Sequence, residues 1–200
     1  MATSNRERIG QMFDALAPAL NEFITRVLSP HLSPDHDWSQ LVALKDSKNG
    51  ISGKLYSAMD PLLQLRMLTE NIPHQVKPGW FPFDGQLSKV QQSYASELRD
   101  VRNKWAHGSS FNNDDAYRAL DTAERLLAGI GAAEAAAEVA KIRLNLRRVT
   151  AEKTTAARSG PLRRPPTRPG CGRGARCYDR MTTWRPAIFK PPSSPPTCSR

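Results

Sequence analysis

The first 150 residues contain no cysteine; Cys171, Cys177 and Cys198 all lie beyond them. That part of the chain therefore has no disulfide and no thiolate metal site, which fits a reducing, cytoplasmic setting. Nowhere does the sequence reach the roughly 18 to 20 uninterrupted apolar residues that a membrane helix needs. Charge arrives at Arg6, Glu7 and Arg8, before any apolar stretch that could act as a secretory signal. The expectation is a soluble cytoplasmic protein with no membrane partner. Also absent are a Walker-type Gly-rich loop, His-Glu-x-x-His, Gly-x-Ser-x-Gly and Gly-x-Gly-x-x-Gly. Their absence removes the common nucleotide-loop, zinc-hydrolase, serine-hydrolase and dinucleotide readings, and neither metal nor cofactor is expected.

What is present divides unevenly. Residues 1–150 hold eighteen Lys and Arg against seventeen Asp and Glu, a balance of +1, whereas residues 151–200 hold eleven against two, a balance of +9. The formal charge of +10 thus belongs to the tail. Nine of the sixteen prolines fall there as well, as in Pro161-Leu162-Arg163-Arg164-Pro165-Pro166 and Pro191-Pro192-Ser193-Ser194-Pro195-Pro196. Such a segment has too little apolar area to offset its chain entropy, so the expected organisation is a domain over 1–150 and a disordered basic tail over 151–200. Three readings of the tail stay open. It is a basic arm for nucleic acid, a zinc site using Cys171 and Cys177 at an unusual spacing, or a stretch translated out of frame from a GC-rich gene.

Within 1–150 the hydrophobic pattern has the helical period. Ile9, Phe13, Leu16, Leu20, Phe23 and Val27 form a stripe from Asn5 to Leu28, with Pro18 predicting a kink or two abutting helices. A short helix is expected from Trp38 to Lys45. Asp60-Pro61 reads as an N-cap followed by proline in the first turn, leading Leu62, Leu65, Leu68 and Ile72. Pro73 to Gly85 reads as a loop or hairpin corner. Leu87, Val90, Tyr94, Leu98, Val101 and Trp105 mark the clearest helix, stopped by His107-Gly108. Asn112 caps the next helix, whose stripe is Ala116, Leu120, Ala123, Leu127 and Ile130; after Gly131 a last helix carries Val139, Ile142, Leu146 and Val149, with Arg143, Arg147 and Arg148 on its outer face. No run alternates with period two. The fold class is an all-α helical bundle of four to six helices.

Of the four histidines, His31, His36 and His74 sit near prolines and read as loop residues. His107 closes the clearest helix, at the dipole end that favours a cation. Arg102 lies five residues earlier, followed by the polar Asn103. Arginine suits a bidentate grip on phosphate and histidine suits proton transfer. Five residues of ideal helix turn through about 140°, so the two converge on one phosphate only if the helix unwinds at Gly108 or a second chain contributes. The bland alternative is structural: Arg102 pairs with Glu97 or Asp121, and His107 merely caps. Trp105 reads as core, and Trp80 and Phe81 as loop anchors ahead of base-stacking platforms. Glu97, Asp100, Asp114 and Asp115 read as solvated or capping acids rather than a metal site.

The segment Glu97-Leu98-Arg99-Asp100-Val101-Arg102-Asn103-Lys104-Trp105-Ala106-His107 resembles the signature of HEPN domains: Arg, a polar residue, and a His after four to six intervening positions. Residues Phe111 to Leu127 are similar to the Swt-one-like branch of that family. The resemblance spans about 1–150 and excludes the tail. It implies a metal-independent endoribonuclease acting in phage defence or RNA surveillance, with His107 as acid/base, Arg102 as phosphate clamp and Asn103 as the polar position. It also implies RNA as substrate, a homodimer whose motifs share one cleft, and a C-terminal ATPase module absent from this chain. The other reading is a non-catalytic RNA-binding, protein-binding or dimerisation module truncated from such an ATPase. Translating the gene past about Thr155 in its other two frames separates the tail readings. An open ATPase-like frame marks a frameshift, and stops in both frames mark the tail as native.

Overall fold

The computed structural model describes residues 3–33, 36–51, 53–72 and 79–158, with side chains to Thr155. His74, the three cysteines and the segment 159–200 lie outside the described residues, and the readings placed on them go with them. The described residues form six α-helices and no strand beyond an isolated bridge between Ile72 and Trp80. The all-α expectation holds.

Helix α1 (Asn5–Leu28) starts from a capping box. The Ser4 hydroxyl accepts from the Glu7 amide at 3.2 Å while the Glu7 carboxylate accepts from the Ser4 amide. The predicted stripe is buried from Ile9 through Phe23, widened by Met12, Ala17 and Ile24. Pro18 does not divide the segment: it sits inside one unbroken helix of 24 residues. The bond it forfeits is to the Asp14 carbonyl, and both Asp14 and Pro18 are exposed. Water can replace the missing donor on that face, and the buried stripe continues in register behind it.

Helix α2 (Ser39–Lys48) replaces the shorter predicted one, and α3 (Pro61–Thr69) begins as expected, with the Asp60 carboxylate accepting from the Leu62 amide at 3.0 Å. Helix α4 (Lys89–Ala106) is capped reciprocally by Ser88 and Gln91. Its stripe starts later than predicted. Val90 is 57% exposed and the fully buried positions are Ala95 and Leu98. The cap at Ser88 leaves Leu87 outside the helix, so its spacing to Val90 is not a helical one. Helix α5 (Asn113–Gly129) has its Asn112 cap and its five predicted stripe residues buried.

Helix α6 (Ala133–Arg158) follows the turn at Gly131, where φ is +85°. It runs past residue 150. Arg143 corrects the expected outer face: its guanidinium donates to the Glu124 carboxylate at 2.7 Å and to the Tyr117 hydroxyl at 2.8 Å, back across the α5–α6 interface. Helix α5 packs against α1, α4 and α6, so its small-residue stripe of Ala116, Ala119 and Ala123 lies at the centre of the bundle.

Charged contacts join α2, α3 and α4. Asp46 of α2, 1% exposed, takes both terminal nitrogens of Arg66 of α3 at 2.7 and 2.9 Å and a hydrogen bond from the Tyr56 hydroxyl at 2.9 Å. The Arg66 hydrogen bonds hold the Asp46 carboxyl down at about 2, against the opposing effect of its burial. Glu70, which ends α3, accepts from Lys45 at 2.8 Å, Arg66 at 3.2 Å and Arg99 of α4 at 2.9 Å.

Because the folded Asp46 carboxyl is a stronger acid than its unfolded counterpart, its contribution is complete above about pH 4 to 5 and is lost as the pH falls towards 2. Urea titrations at stepped pH should show Asp46 contributing an acid-side loss on the order of 2 kcal/mol. Asp46→Asn should flatten that part of the profile while costing about 3–5 kcal/mol at neutral pH, because Arg66 loses its buried partner.

Candidate functional site

The three predicted residues occupy the last two turns of α4 and its cap. The Asn103 carbonyl accepts from the His107 amide at 3.0 Å, making His107 the C-cap, and Gly108 at φ +78° turns the chain away. His107 is exposed, while Arg102 and Asn103 are half-buried. The helix stays wound through Ala106. Unwinding therefore does not swing Arg102 and His107 together, and their angular separation along α4 remains that of regular helix.

Two contacts hold this end of α4 against the start of α1. The Trp105 ring lies 5.8 Å from the Phe13 ring at 56° and under the Arg6 guanidinium, while its indole N–H donates to the Arg6 carbonyl at 3.1 Å. The Asn5 side-chain Nδ2 donates to the Phe111 carbonyl at 3.2 Å and to Asn113 Oδ1 at 2.8 Å, fixing the loop after Gly108. Trp105 is therefore a half-buried anchor, as its core assignment foresaw, and His107 projects from a well-supported corner. Trp80 and Phe81 likewise lie half-buried against the core, with Trp80 edge-on to His31.

Arg102 faces α3. Its Nη2 donates to Asp60 Oδ1 at 3.2 Å, and neither of the partners anticipated for it is used. Glu97 pairs with Arg118, and Asp121 with Arg125 and Arg143. Asp60 thus serves two donors, the Leu62 amide and Arg102. The sequence announces only the first role, because the Asp-Pro cap is local and the arginine lies 42 positions away.

Helix α4 separates two environments. On the α5 side is a groove of about 460 Å³ lined by Glu97, Asp100, Lys104, Asp115 and Arg118, three acids against two bases. On the α3 side, Lys45, Arg66, Arg99 and Arg102 meet Asp46, Asp60 and Glu70, four bases against three acids. No cluster of His, Cys, Asp or Glu that could hold a metal occurs among the described residues. No described helix is long and apolar enough to cross a membrane.

The family model described as Swt1-like HEPN matches residues 11–131, from the second turn of α1 to the turn before α6. The chain belongs to the Swt1-like HEPN family. Among curated proteins and solved structures, nothing matches the chain.

The double role of Asp60 gives a clean separation of effects. Asp60→Asn keeps an oxygen for the Leu62 amide and should leave stability within about 0.5 kcal/mol in urea unfolding, since asparagine caps as well as aspartate and a half-exposed ion pair contributes little. Asp60→Ala removes the cap and should cost about 1 kcal/mol.

Proposed function

We propose that this HEPN domain is a metal-independent endoribonuclease whose working site is shared between two copies of the chain. The observation that carries the reading is that the guanidinium of Arg102 and the imidazole of His107 are both solvent-accessible at one end of α4, yet lie on different sides of an intact helix. Two copies related by a twofold axis supply each anion with an arginine from one and a histidine from the other.

At such a site the imidazole takes the proton from a ribose 2′-hydroxyl, and the 2′-oxygen attacks the adjacent phosphorus. The phosphorus–5′-oxygen bond breaks, and the leaving oxygen collects a proton from the imidazolium so formed or from water. The products are a 2′,3′-cyclic phosphate and a 5′-hydroxyl. Arg102 stabilises the extra negative charge on the phosphoryl oxygens as the transition state forms. Asn103 stands between them in sequence, half-buried, with its carbonyl committed to holding His107 in the cap. A setting in phage defence or RNA surveillance, in the cytoplasm and beside an ATPase module, belongs to the same proposal.

A second reading, a non-catalytic RNA-binding or dimerisation module, is favoured by one contact: Arg102 is already engaged by Asp60. A single 3.2 Å contact between half-exposed groups is weak, and a phosphate can displace it.

Labelled single-stranded RNA incubated with the full chain in EDTA should be cut. Cleavage should fall at least about a hundredfold in Arg102→Ala and in His107→Ala, the scale of losing general acid–base help. Mixing the two inactive variants under subunit exchange should restore about a quarter of wild-type activity, because half the dimers then carry one intact composite site out of two. Cleavage only with added metal would defeat the nuclease reading, and failure of the mixture to recover would defeat the shared site.

A further inference from the structure

Glu70 draws three cations from three helices: Lys45 of α2, Arg66 of α3 and Arg99 of α4. They are not used equally. Arg66 is the most enclosed, 16% exposed, and spends its donors on both Asp46 and Glu70. Lys45 gives one short contact at 25% exposure, and Arg99 gives one at 35%. Each therefore keeps donors directed away from Glu70 and reachable from solvent.

Arg99 precedes Arg102 by three positions, so the two side chains are neighbours on one face of α4, about 5–6 Å apart at Cβ. Their guanidiniums diverge from there, because Arg99 reaches Glu70 and Arg102 reaches Asp60 at the opposite ends of α3, a helix about 14 Å long, so the two charges are set a few nucleotides apart along an extended strand. The charge balance selects the same face. The α3 side of α4 carries one excess base, while the α5 side carries one excess acid from Glu97, Asp100 and Asp115. In a domain of near-zero net charge, that difference decides which flank a polyanion approaches.

We infer that Lys45 and Arg99 form a second phosphate subsite, holding the backbone of RNA a few nucleotides from the phosphate gripped by Arg102, so that the strand runs along the α3-facing side of α4. The inference rests on the RNA-directed reading above and deepens it. Lys45 and Arg99 bind and orient the strand and take no part in the chemistry. Glu70 keeps their stems extended, and the phosphate occupies the donors that Glu70 leaves unused.

The test is salt-dependent binding of a short 2′-O-methyl oligoribonucleotide, which lacks the attacking hydroxyl and survives the measurement. Lys45→Gln/Arg99→Gln should make the slope of log K against log salt shallower by about 0.7, the release associated with one phosphate of a single strand. Its curve should meet that of the wild type at high salt. Lys104→Gln removes one charge from the opposite flank, as Arg99→Gln alone does from this one, and should leave the slope unchanged. Arg99→Gln alone, which leaves Arg66 and Lys45 on Glu70, keeps the comparison readable if the double variant unfolds, with a smaller change in the same direction. An unaltered slope in both variants, or an equal change in Lys104→Gln, overturns the subsite. If those results accompany normal EDTA-resistant cleavage lost in His107→Ala, only the subsite falls. If the wild type binds no RNA, the subsite and the RNA-directed reading fall together.

Discussion

The carboxylate of Asp46, almost wholly out of water and held by both arms of Arg66, is the contact on which the arrangement of α2, α3 and α4 depends. Removing two charges from water is costly, and the return comes only when the geometry is good and the remaining lone pairs are satisfied. Here both conditions are met: the guanidinium is bidentate and Tyr56 supplies a further donor. The pair sets α3 against α2. It thereby sets the two ends of α3, Asp60 and Glu70, which meet Arg102 and Arg99 of α4. A mispositioned α3 would release both arginines at once.

The opposite side of α4 is secured by different physics. Trp105 rests on Phe13 and Arg6, and Asn5 ties down the following loop. Apolar burial and ring contact hold the C-terminal corner, while ion pairs hold the flank towards α3. The corner holds His107 at the surface, and the ion pairs towards α3 stay partly hydrated. Ion pairs of this exposure are individually weak.

Periodicity made α1, α3, α4, α5 and α6 legible because each buries one face, and a buried face must recur every three or four residues. Caps were legible for the same local reason: Asp60, Asn112 and the glycines after α4 and α5 act on atoms within a few positions of themselves. The misreadings share a cause. Val90 matched the stripe but lies in the first turn, where the start of the helix, rather than the spacing, decides what faces the core. Arg143 looked like an outer residue until Glu124 and Tyr117 of the neighbouring helix came within reach. Pro18 threatened α1 only if its missing hydrogen bond lay in the interior, and it lies at the surface.

The helix that carries Arg102 and Asn103 and is capped by His107 could be read from the chain alone, since an amphipathic stripe is a short-range pattern. The order of charges decided that the basic tail, not the helical domain, holds the net charge. What tertiary structure decided is who meets whom: Arg102 with Asp60, Arg99 with Glu70, Asp46 with Arg66. Those pairs join residues 20 to 42 positions apart, and Coulomb attraction between distant side chains leaves no periodic trace in a sequence. Only the packing of α3 between α2 and α4 brings them within a few ångströms.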